Sequence, residues 1–76
     1  MKYEPQFTMG MTEEEFKNAN KSAVAVYGDN KGITIYKGYN ELLRTFKFFV
    51  FSKEKLVKFE EGNLSDDYKF IDLRNL

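Results

Sequence analysis

Apolar positions recur with two different periods along this chain, and the change of period divides it into elements. The strongest signal is Arg44 to Ser52, centred on Phe46-Lys47-Phe48-Phe49-Val50-Phe51, which reads as a β-strand of aromatic and β-branched residues. Leu56-Val57-Lys58-Phe59 returns toward Glu60-Glu61-Gly62 after a turn at Ser52-Lys53-Glu54-Lys55, giving a hairpin. Upstream, Ala23-Val24-Ala25-Val26-Tyr27 and Gly32-Ile33-Thr34-Ile35-Tyr36-Lys37 flank Gly28-Asp29-Asn30-Lys31-Gly32, a dense turn signal, and predict a second hairpin. Gly38 to Leu43 reads as the connection between the hairpins, with Asn40 to Leu43 able to hold one helical turn.

Helical spacing is confined to the region before these strands. Phe16, Ala19 and Ala23 follow i, i+3, i+7, a narrow apolar face, and Asn18, Asn20 and Ser22 are weak helix formers. The start of this helix is written almost completely. Thr12 is the N-cap, Glu15 completes a Thr-x-x-Glu capping box, and Met11 with Phe16 forms a hydrophobic staple. Glu13, Glu14 and Glu15 place negative charge at the positive end of the helix dipole. The helix is expected from Glu13 to about Lys21, after an extended lead-in broken by Pro5 and Gly10.

These elements define one α+β domain over residues 1–76, with an N-terminal helix packed on an antiparallel four-stranded meander sheet. Residues 1–10 are the lead-in, 11–62 the helix and sheet, and 63–76 a tail packing on the sheet. The run Phe48 to Phe51 departs from alternation, so its strand is apolar on both faces. Phe48 and Phe49 are expected on opposite faces, both buried. One helix covers one face only. The other requires the lead-in, the tail segment Tyr68 to Leu73, or a second molecule, and the candidate residues of a partner face are Phe49, Phe51, Tyr36 and Tyr39.

Composition sharpens this picture. Seventy-six residues with no cysteine have neither a disulfide nor a Cys/His zinc site to staple a small core, so eight Phe and five Tyr must serve. Each buried ring removes about 150 to 250 Å² from water, or roughly 4 to 6 kcal/mol before chain ordering is counted against it. Twelve basic and twelve acidic residues balance to zero, without the positive field of a typical nucleic-acid binder. Residues 44–58 nevertheless net +4 and residues 59–76 net −3, a pattern that suits a hairpin with lysines guarding its edges.

Catalytic chemistry has little to work with. There is no His for proton transfer at neutral pH, no Cys nucleophile and no phosphate-cradling glycine motif. Glu13-Glu14-Glu15 is absorbed by capping, and neighbouring carboxylates at Glu60-Glu61 point to opposite faces of a strand end. No catalytic residue, cofactor site or metal site is assigned, and the chain reads as a non-enzyme. Lys47 beside the aromatics of Phe48 to Phe51 is compatible with stacking single-stranded bases, a reading disfavoured by neutrality and by the core-like character of those rings.

Gly10-Met11-Thr12-Glu13-Glu14-Glu15-Phe16 resembles the Gly-Met-Thr-x-x-Glu-Val helix start of SmpA/BamE-type small lipoprotein domains, whose architecture is shared with β-lactamase inhibitory protein. Phe48 to Val57 resembles the closing hairpin of the same family. The family's second helix has no counterpart here, and Glu54 stands where the family favours Gly or Asn, which points to a shortened relative. That resemblance implies a non-catalytic module binding a protein partner or itself, in the periplasm or at the outer membrane, attached to membrane only through a lipid anchor absent from these residues. The alternative is a small cytoplasmic or phage-encoded inhibitor that blocks a larger protein.

Overall fold

A computed structural model describes residues 6–74 and 76; the first half of the expected lead-in, residues 1–5, lies outside the described residues. Helix α1 (Glu13–Ala19) is followed by strands β1 (Val24–Gly28), β2 (Ile33–Asn40), β3 (Thr45–Ser52) and β4 (Lys55–Gly62), then a 3₁₀ turn at Asp67–Phe70. The strands form one antiparallel sheet in the order β1-β2-β3-β4, a simple meander. The class is α+β.

The helix begins as its residues dictate. Thr12 Oγ1 accepts from the Glu15 backbone N–H at 3.1 Å, and Glu15 Oε1 accepts from the Thr12 N–H at 2.8 Å. These bonds hold the Glu15 carboxyl below the usual carboxylate range. Met11 packs in the same cluster as Phe16. At the other end α1 stops two residues short of the expected Lys21. Asn20 is buried, its Nδ2 donates to Phe16 O at 2.9 Å and to Gln6 O at 2.8 Å, and its Oδ1 accepts from Gln6 N at 2.8 Å. A side chain competing for helix carbonyls ends the helix and clamps the incoming chain.

Strand β2 runs three residues beyond the expected Lys37. Gly38, Tyr39 and Asn40 pair with Lys47, Phe46 and Thr45, so partners on β3 overrule the local break signal of glycine. The expected helical turn at Asn40 to Leu43 is a hydrogen-bonded reversal instead, in which Asn40 Oδ1 accepts from Leu43 N at 3.0 Å. The β1–β2 turn is organised by Asp29, whose Oδ1 accepts from Lys31 N and Ile33 N while Oδ2 accepts from the Tyr27 hydroxyl. These bonds lower the Asp29 pKa, and Gly32 supplies the left-handed residue at φ +89°.

Phe48 and Phe49 are both fully buried and belong to separate clusters, as alternation along β3 requires. On one side Phe16, Tyr36, Phe49, Phe51 and Leu56 pack together, with the Phe16 ring centroid 4.6 Å from Phe49 and 5.2 Å from Phe51. Phe7 extends this cover, stacking on Phe59 at 4.7 Å and meeting Phe49 edge-on at 5.1 Å. On the other side Ile33, Ile35, Phe48 and Val50 are covered by Tyr68, Ile71 and Leu73. Of the tail aromatics, Phe70 turns outward and is 84% exposed.

Three hydrogen bonds pin the tail. The Asp67 carboxylate accepts from Asn63 N and Leu64 N, both at 3.0 Å, and Lys58 Nζ donates to Asp72 O at 3.2 Å. Opposite, residues 10–13 run beside the start of β4. Gly10 N donates to Leu56 O, Leu56 N to Met11 O, and Glu13 N to Glu54 O. That segment ties the helix start to the tip of the β3–β4 hairpin, where Lys53 and Glu54 both adopt positive φ (51° and 69°), the pattern of a type I′ turn.

Candidate protein-binding surface

The four aromatics expected to form a partner face do not share a surface. Tyr36, Phe49 and Phe51 lie in the core beside Phe16, with Tyr36 and Phe51 rings 5.5 Å apart. Their burial within a single chain removes them from contact with a partner. The Tyr36 hydroxyl donates to the Glu13 carboxylate, and burial together with that bond pushes its pKa up to about 12. Only Tyr39 is exposed (41%), and it belongs to the other side of the sheet, beside Phe46 at 5.0 Å.

Tyr39 leads instead to a surface that sequence reasoning missed. The β2–β3 reversal carries Leu42 and Leu43, 66% and 60% exposed, directly after Asn40 and Glu41. Gly62 pairs with Phe46, so the chain leaving β4, with exposed Leu64, emerges at this same end of the sheet. An apolar crest results, made of Tyr39, Leu42, Leu43 and the flank of Phe46. Lys37 sits at its base, over the Phe46 ring at 5.5 Å and donating to Ser65 Oγ at 2.6 Å. The signal in the sequence was a Leu-Leu pair inside an otherwise polar turn.

In the concave regions of the molecule several charged groups are already engaged. A depression of about 310 Å³ is lined by Phe48, Glu60, Glu61, Asp67, Phe70 and Ile71. Asp67 is held by backbone N–H groups, Glu61 accepts from Lys47 Nζ at 2.8 Å and Thr45 Oγ1 at 2.9 Å, and Glu60 lies 3.4 Å from Lys58. These hydrogen bonds lower the Glu61 pKa. A second hollow, of about 440 Å³, lies among Glu13, Glu14, Lys17, Asn18 and Glu54, where Glu13 is tied to Tyr36. Among the described residues no group of three or more acidic, His or Cys side chains is placed to hold a metal ion, and no helix is long and apolar enough to cross a membrane.

Compared with known proteins, the chain matches no family model, no curated protein and no solved structure.

Proposed function

We propose that this domain is a non-catalytic protein-binding module whose contact surface is the crest at the β2–β3 reversal. The observation that carries the reading is the exposure of Leu42 and Leu43 beside Tyr39, three large apolar residues within five positions, whereas the exposed Met9, Val24 and Phe70 stand apart along the chain. Two adjacent leucines on a turn have no role in folding that requires exposure, and clustered exposed apolar groups are the common mark of a recognition surface. On this reading α1, anchored by Phe16, is a fixed cover over one side of the sheet, and the tail is the fixed cover over the other. Both leave the crest free.

The setting we propose is the bacterial cell envelope, supported by the resemblance of Gly10 to Phe16 and Phe48 to Val57 to small lipoprotein domains. Base stacking is the weaker reading, because Phe48, Phe49 and Phe51 are enclosed and present no ring face to a nucleotide. A photo-crosslinking residue at position 43, expressed in the native host, tests the proposal, with the same residue at position 31 on the β1–β2 turn as control. A discrete protein adduct at 43 and none at 31 is the expected result. No adduct, or the same adducts at both positions, contradicts it.

A further inference from the structure

Two lysines of adjacent strands stand over aromatic rings on opposite sides of the sheet, and among the described residues only one of them has a carboxylate partner. On the α1 side Lys47 Nζ lies 5.2 Å from the centre of the Phe59 ring and pairs with Glu61 at 2.8 Å. On the tail side Lys37 Nζ lies 5.5 Å from the centre of the Phe46 ring and donates to the uncharged Ser65 Oγ. Lys37 is half-buried, and no carboxylate among the described residues stands within ion-pair distance of it. An ammonium has three donors, and Ser65 takes one. The charge is held beside the crest, because Tyr39 follows two residues later on the same side of β2 and packs on the same Phe46 ring.

Arg44 adds a second cation at the β2–β3 reversal. Its backbone holds φ +57°, which Gly or Asn adopts at less cost, so the turn itself gives no reason for an arginine. Its side chain is exposed and has no hydrogen-bond or ionic partner among the described residues. Across residues 37–46, Lys37 and Arg44 against Glu41 leave a charge of +1 in a chain whose net charge is zero. We propose, resting on the reading that the crest is the contact surface, that its occupant is a protein segment carrying an Asp or Glu next to an apolar side chain. The carboxylate takes at Lys37 the place that Glu61 takes at Lys47, Arg44 adds to its attraction, and the apolar group packs on Tyr39, Leu42 and Leu43. An anionic membrane fits less well. Seating Leu42 and Leu43 in it drives the neighbouring Glu41 carboxylate against headgroups of its own sign, whereas a protein can place a cation there.

Random peptides displayed on phage, selected on the immobilised full chain and counter-selected on its Leu42→Ser, Leu43→Ser variant, supply the probe. The expected peptides pair an acidic residue with a neighbouring apolar one, a preference that a chain of zero net charge does not impose by bulk attraction. Measured by fluorescence anisotropy, Lys37→Met, which keeps an apolar stem over Phe46, should weaken the synthetic peptide about tenfold. Replacing the peptide's acid by its amide should then cost little more in that variant, because the two groups act as a pair. Arg44→Gly should weaken binding severalfold while the thermal midpoint holds or rises, a combination that a purely structural arginine would not give. Crest-dependent peptides without an acidic residue, or peptides that bind Lys37→Met as tightly as the native chain, overturn the proposal and leave the crest reading standing. A selection in which no peptide survives the counter-selection defeats both. Flotation with phosphatidylglycerol vesicles, or a dimer in sedimentation equilibrium, that is lost on the same double substitution would seat a membrane or a second copy at the crest and overturn the proposal as well.

Discussion

Gly62 and Asp67 approach so closely that a Cβ on Gly62 would lie 2.7 Å from Asp67 Cβ and 2.8 Å from its Oδ2. The glycine is there to admit the carboxylate, which organises the turn out of β4 by accepting from Asn63 and Leu64. Through that turn the tail comes back across Phe48. Gly62→Ala must displace Asp67 or the Phe48 ring, which stands 3.0 Å from the same point. An overpacking cost of about 1 to 3 kcal/mol is expected, seen as a lowered thermal midpoint together with increased binding of a hydrophobic dye. An unchanged midpoint would show that the tail is held by other contacts.

Phe48 and Phe49 belong to independent clusters on opposite sides of β3. Phe48→Ala and Phe49→Ala should each destabilise the domain by roughly 3 to 5 kcal/mol, measured by denaturant unfolding. Deleting residues 66–76 should reproduce the exposure caused on the Phe48 side, leaving Phe16, Phe49 and Phe51 packed. A truncated chain as stable as the full one would exclude the tail as a cover.

Titration of Tyr36 gives a pH-dependent test. Its pKa is raised to about 12 by burial and by the hydrogen bond to Glu13, so the folded state favours the neutral phenol. The stability this contributes is complete below the unfolded tyrosine value near 10 and is lost as pH rises from there toward 12. Ultraviolet difference titration of the native chain should therefore show a last ionisation step belonging to Tyr36, and Tyr36→Phe should remove that step. Tyr27, raised by its bond to Asp29, should ionise above the ordinary value as well. If Tyr36→Phe leaves the late phase intact, the Tyr36–Glu13 contact is wrong.

The β3–β4 turn is built from residues poorly suited to it. Lys53 and Glu54 both hold positive φ, which Asn-Gly accepts readily. Replacing the pair by Asn-Gly should stabilise the chain by about 1 kcal/mol or more, without disturbing the Glu54 carbonyl that accepts from Glu13 N. A fall in thermal midpoint would mean that the Lys and Glu side chains contribute more than their backbone costs.

How much of this was legible beforehand follows from the range of each interaction. The capping box at Thr12 and Glu15 is local, so three residues of spacing suffice to read it. Burial of β3 on both sides was equally readable, because Phe48-Phe49-Val50-Phe51 leaves no polar face. The extension of β2 through Gly38 to Asn40 was not, since it depends on partners at Lys47, Phe46 and Thr45. Nor was the early end of α1, which rests on Asn20 reaching back to Gln6. For the site, the aromatic character of Tyr36, Phe49 and Phe51 was visible, but not that Phe16 would sit against all three. Among the tail residues Tyr68 and Phe70 look alike in sequence; only the 3₁₀ turn sends one inward and the other out. Leu42 and Leu43 escaped notice because Gly38 to Leu43 reads only as a connection able to hold one helical turn, and no local signal says which way the side chains of a turn point.

On the proposed function, Leu42 and Leu43 mark the division between apolar groups that hold the fold and apolar groups left for a partner. The most direct measurement is the thermal midpoint of the Leu42→Ser, Leu43→Ser double variant, paired with crosslinking from position 39 in the native host. An unchanged midpoint, within about 0.5 kcal/mol of stability as expected for exposed positions, together with loss of the crosslinked adduct, is the predicted result. A large drop in stability, or an adduct that survives the double substitution, would place the leucines in the fold or the partner elsewhere and contradict the assignment of the crest.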